Sequence, residues 1–139
     1  MKYSKTDDKI FITISKDELI NAKLLEVAEK EKIQSAWING IGAITDVEIG
    51  YYDLEQKAYV KKEFNNQYEL ISLMGNISLV DKKPFIHTHI SFSDTDYKTF
   101  GGHLFDAKIL AAGEFFMSLS DKPLSRKLNC DIGLALWNI

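Results

Sequence analysis

Ile10-Phe11-Ile12-Thr13-Ile14 runs straight into Ser15-Lys16-Asp17-Glu18, a junction between a strand signal and a helix signal. The first five residues are β-branched or aromatic and read as a strand. Ser15 and Glu18 have the Ser-x-x-Glu spacing of a capping box, which predicts a helix opening there. Ile20, Leu24, Val27 and Ala28 recur at helical spacing, while Lys23, Glu26, Lys30 and Glu31 fill the other faces. The helix is therefore amphipathic, runs to about Lys32, and has an apolar stripe to lay across a sheet.

No other stretch repeats that pattern. Ala36-Trp37-Ile38 leads into Gly40-Ile41-Gly42, and Val47 to Tyr52 alternates. Tyr59-Val60 follows, then Leu70 to Met74 ending at Gly75-Asn76. Phe85 to Phe92 is separated by a polar loop, Ser93 to Thr99, from the apolar stretch Leu104 to Leu119, and Leu134 to Trp137 closes the chain. One helix and about seven strands on short connections predict an α+β fold, mostly antiparallel, with the helix packed on the sheet; parallel crossovers would need more chain. Gly40-Ile41-Gly42 lacks the third glycine and following helix of a dinucleotide-binding loop, so it reads as a turn or bulge.

With 139 residues the chain has the length of a single compact domain. That domain is expected over 9–139, after a frayed polar tail at 1–8. Hydrophobic residues at 45% and charged residues at 27% exclude a disordered chain. No apolar run approaches the roughly 20 residues of a membrane helix, and the first residues lack the apolar stretch of a signal peptide, so no membrane contact and a cytoplasmic location are expected. Cys130 is the single cysteine, which rules out an intrachain disulfide; its alternating neighbours Leu128 to Ile132 read as a strand with the thiol as small apolar filler.

The net charge is −3, and Arg126 is the only arginine. Base-edge readout relies on the planar guanidinium fork, so autonomous sequence-specific DNA binding is disfavoured. A local lysine patch would still serve for phosphate contact.

The residues that carry chemistry are the histidines. In Pro84-Phe85-Ile86-His87-Thr88-His89-Ile90-Ser91-Phe92, strand alternation puts His87 and His89 on one face and Ile86, Thr88, Ile90 and Phe92 on the core side. His103 follows Gly101-Gly102, a pair that permits close backbone approach. If the loop after Ser93 folds the next element back beside the first, the three imidazoles converge. Three neutral nitrogens with an open position suit zinc, with nickel, iron or copper as other occupants. A pH-sensitive polar cluster is the plainer alternative. Asp94 and Asp96 sit on the loop, where carboxylates are usually solvated. Glu114 interrupts an apolar run and is the candidate catalytic carboxylate; a salt bridge or subunit contact would explain it equally well. Alternation from His103 puts Glu114 on the other face unless a bulge at Gly113 intervenes.

In order along the chain stand the capped helix, Trp37-Ile38-Asn39-Gly40-Ile41-Gly42-Ala43, Gly50-Tyr51-Tyr52-Asp53 and Tyr68-Glu69-Leu70-Ile71-Ser72-Leu73-Met74-Gly75-Asn76. Pro84-Phe85-Ile86-His87-Thr88-His89, Gly101-Gly102-His103-Leu104 and Glu114 follow. In this series the sequence resembles the PPC domain, the plant and prokaryote conserved domain. The resemblance spans Ile10 to Trp137. It implies a homotrimer, and it implies that His87, His89 and His103 match histidines that bind zinc in some prokaryotic members. It also carries a DNA-binding label, although the Arg-Gly-Arg hook that precedes the plant domain is absent here, and a family glycine before Gly101 is replaced around Asp96-Tyr97-Lys98.

Two functions follow as expectations. One is a regulatory or binding module, a metal-bearing homotrimer that contacts proteins, DNA or a small ligand. The other is a metal-dependent enzyme of hydrolase or lyase type, with zinc-bound water and Glu114 as general base.

Overall fold

Strand alternation and one amphipathic stripe account for most of the architecture. The computed structural model describes residues 1–139 as nine strands and one helix: β1 (Lys2–Lys5), β2 (Lys9–Ser15), α1 (Ile20–Lys30), β3 (Ala36–Asp53), β4 (Ala58–Phe64), β5 (Tyr68–Val80), β6 (Lys83–Ser93), β7 (Thr99–Leu119), β8 (Arg126–Asn129) and β9 (Leu134–Trp137). Seven strands form a sheet in the order β1-β2-β7-β6-β5-β3-β4, and β7 also pairs with β3. The strands β3, β5, β6 and β7 therefore close on themselves. Every pairing between these strands is antiparallel. β8 and β9 form a separate small hairpin. This is the expected α+β, mostly antiparallel single domain with one packed helix.

α1 lies against β6 and β7. Ile20, Leu24, Val27 and Ala28 are all fully buried, and burying the three larger side chains stabilises the helix-on-sheet contact by roughly 1.5–3 kcal/mol each. Ile10, Ile12 and Ile14 project from β2 into the same core.

Four local expectations are corrected. Residues Lys2–Lys5, read as part of a frayed tail, form β1 and pair with Ile10 to Thr13, and the α-amino group of Met1 makes an ion pair with Glu18. The helix starts at Ile20 rather than Ser15. Glu18 does reach back to the Ser15 N–H at 2.8 Å, but Asp17 at φ 68 turns the chain before the helix begins. The carboxylate that serves the helix N-terminus is Asp106 of β7, which accepts from the Asn21 and Ala22 N–H groups at 2.9 and 3.3 Å. The separate strands expected between Ala36 and Tyr52 are one long β3, and the predicted glycine irregularity is a register shift between Gly40 and Gly42 in its ladder with β5. Cys130 is exposed in the turn after β8 and fills no core space.

Candidate metal centre

β6 alternates as its sequence requires: Thr88, Ile90 and Phe92 are buried on the core side, and His87 and His89 project from the other. The loop after Ser93 returns the chain as β7, whose first residues pair with the end of β6, so that His103 stands directly opposite His89. The glycines before it make this approach possible. A side chain at Gly101 would meet the Ile90 carbonyl at 2.6 Å, and one at Gly102 the Gly50 carbonyl at 3.0 Å.

The three rings converge. Their centroids lie 5.1, 5.2 and 5.4 Å apart, and one ring nitrogen from each lies within 4.8 Å of the others. His87 Nε2 and His89 Nε2 are 3.2 Å apart, close to the edge that two nitrogens span on a tetrahedral ion with bonds of about 2.0–2.1 Å. His103 Nδ1 is buried with no hydrogen-bond partner. An orphaned ring nitrogen beside two facing imidazoles is a donor set that fits a divalent transition metal. Protons compete weakly for it. Burial pushes His87 down to about 4, with repulsion from His103, Arg126 and His89 adding to the effect. Burial, then His89 and Lys61, likewise push His103 down to about 4, and burial lowers His89. All three rings are neutral at pH 7, the form that ligates.

Glu114 does not join them. It lies 11 positions further along β7, opposite Thr13 and Ile41, and is exposed. The β3–β7 ladder is irregular near both Gly113 and Phe105: the step from Gly42 to Ile44 spans Gly113 to Ile109 on β7, and the step from Glu48 to Ile49 spans Asp106 to Leu104. Asp94 stays on its loop, where its carboxylate accepts from the Asp96 and Lys98 N–H groups.

Residues the local pattern did not reveal complete the surroundings. Tyr59 of β4 stacks on His103 at 4.6 Å, and Phe105 meets the same ring edge-on at 5.1 Å. Arg126, the only arginine, reaches in from β8. Its Nε donates to Ser78 Oγ at 2.7 Å, Nη1 to the Ala135 carbonyl at 2.7 Å, and Nη2 to Asn76 Oδ1 at 3.0 Å and His87 Nδ1 at 3.3 Å. Its rarity in the chain was the one signal available.

Behind the sheet, Asn21 ties the two histidine strands together. Its side-chain N–H donates to the Leu104 and Phe105 carbonyls, both at 3.1 Å, and its Oδ1 accepts from Thr88 Oγ1 at 2.8 Å.

A family model for the Plants and Prokaryotes Conserved (PCC) domain matches residues 1–120. Among solved structures, a candidate DNA-binding protein of Bacteroides thetaiotaomicron superposes with a TM-score of 0.96 at 34% identity, over 99% of this chain and 96% of that one. A plant- and prokaryote-conserved protein of Pyrococcus horikoshii gives 0.88 at 34% identity, over 99% and 94%. A metal-containing protein of Archaeoglobus fulgidus gives 0.87 at 35% identity, over the whole of both chains. No curated protein matches the sequence. The hairpin β8–β9, and Arg126 with it, lies beyond the stretch that the family model matches.

Proposed function

The chain belongs to the Plants and Prokaryotes Conserved domain family, and we propose that it is a metal-bearing binding module whose centre is His87, His89 and His103. The convergence of one ring nitrogen from each histidine carries this reading. The relative from Archaeoglobus fulgidus, described as metal-containing, is in keeping with it. Three neutral nitrogen donors favour zinc over harder, oxygen-seeking cations. When bound, such an ion supplies a Lewis-acidic position open to one further ligand. The binding-module reading is preferred to a hydrolase or lyase because Glu114, the base that chemistry would need, stands far along β7.

Contact with DNA, the description carried by the Bacteroides relative, is the lesser reading. The one arginine is engaged at the histidine site, which leaves no guanidinium fork for base edges.

Self-association completes the proposal. Phe11 and Ile41 are more than half exposed, at 53% and 55%, and Trp37 is 43% exposed on the same sheet face. Phe11 packs on Phe116 at 5.3 Å beside Glu114. An apolar face of this kind is where copies of the chain meet, as a homotrimer in the family's manner.

Metal analysis of protein purified without an affinity tag tests the centre. The expected result is about one zinc per chain, lost in His87→Ala. Negligible metal in both would contradict it.

A further inference from the structure

Arg126 presents a charge that its surroundings leave unanswered. Its hydrogen bonds all go to neutral acceptors: a hydroxyl, a carbonyl, an amide oxygen and an imidazole nitrogen. None of the chain's ion pairs includes it. Lys61 lies over Phe105 at 3.7 Å, next to His103, and adds to the positive side of the balance, although Glu48 pairs with it at 3.0 Å. The only ionisable groups that touch the histidine cluster are therefore neutral or positive.

The hydrogen-bond roles sharpen this. A guanidinium only donates, so the contact with Arg126 requires His87 Nδ1 to accept, and the ring proton then sits on Nε2, toward His89. A His87 ring that ligates through Nε2 must carry its proton on Nδ1 and can no longer accept from Arg126. Metal loading thus leaves the guanidinium one acceptor short, beside a second positive charge. A partly buried pair of like charges is costly until an anion joins it.

We propose that Arg126 and the metal position of His87, His89 and His103 together form a subsite for a small organic carboxylate. This rests on the metal reading above. A carboxylate offers two oxygens, one for the open position and one for the Nη2 N–H that His87 no longer accepts, a charge-assisted hydrogen bond. The rim selects the organic class over free phosphate. Phe85 lies under Arg126 at 5.1 Å and is 39% exposed, Trp137 points its indole N–H at Asn76 Oδ1 from 3.4 Å, and Tyr59 covers His103.

Cobalt(II)-loaded protein gives a visible spectrum that reports ligands at the metal without any assay of activity. Titration with acetate, benzoate and inorganic phosphate is expected to shift that spectrum, with benzoate binding most tightly and phosphate least. Arg126→Gln should take up cobalt in the same proportion and bind both carboxylates roughly tenfold more weakly, the weight of one charge-assisted hydrogen bond. Arg126→Lys, which keeps the charge and loses the fork, should fall between, and serves if the glutamine variant does not fold. A cobalt spectrum indifferent to carboxylates, phosphate binding tighter than either carboxylate, or unchanged affinity in the Arg126 variants would overturn the subsite while leaving the metal reading intact. Failure of the wild-type chain to take up cobalt would overturn both.

Discussion

Thr88 Oγ1 donates to Asn21 Oδ1 at 2.8 Å, from the strand position between His87 and His89. The same asparagine holds the Leu104 and Phe105 carbonyls just after His103. One side chain on the helix therefore fixes the spacing of both histidine strands from behind. Asn21→Ala strands the Thr88 hydroxyl in the core and leaves the two carbonyls short of a donor, so it should cost about 2–3 kcal/mol. Urea unfolding should show this, and zinc affinity should fall with it. Unchanged affinity in a destabilised variant would mean that the strands hold their register unaided.

Asp106 reaches the start of α1 from 85 positions away in sequence. Asp106→Ala should destabilise the chain by about 1–2 kcal/mol, the range of a lost N-cap, and Asp106→Asn by less because an amide oxygen still accepts. Ser15→Ala should cost far less than Asp106→Ala in the same urea series, since Ser15 precedes a turn and not the helix. Equal losses would restore Ser15 as the cap.

The contrast between these two positions shows what was legible in the sequence. Alternation within β6 is a local property, so the shared face of His87 and His89 could be read from nine consecutive residues. The placement of His103 required only a short return loop and two glycines. Asp106, Tyr59 and Arg126 reach their places through pairings between distant strands, and no nearby spacing records them. Ser15 and Glu18 misled because the motif forms its backbone contact in a turn as readily as at a helix. Glu114 misled for another reason: its apolar neighbours suggested burial, whereas in the single chain that face is open.

The histidines set a pH dependence with a definite sign. His87 and His103 titrate near 4 in the fold, below the ordinary 6.5 that the unfolded chain keeps. Between those values the unfolded state binds more protons, so the metal-free protein should lose stability as pH falls from about 6.5 to about 4. The loss should shrink in a His87→Gln, His103→Gln double variant to the share of His89, which burial also lowers. Thermal melts across this range check it, and a flat profile in the metal-free wild type would contradict the burial argument.

Ile41 pairs opposite Glu114 on the exposed apolar face. Ile41→Glu sets two carboxylates across one ladder position and should keep the chain from forming the proposed trimer, with little effect on folding. Sedimentation should give about three times the chain mass for the wild type and the chain mass for the variant, as expected of a closed symmetric assembly. Three chain masses in both would place the contact elsewhere, and one chain mass in the wild type would contradict the trimer.

In the proposed centre, three imidazoles from two adjacent strands share one ion. X-ray absorption at the zinc edge of zinc-loaded, untagged protein tests it most directly. Three imidazole nitrogens at about 2.0–2.1 Å and one further light ligand are expected. A first shell without imidazole scattering, or zinc that dialyses away completely, would contradict it.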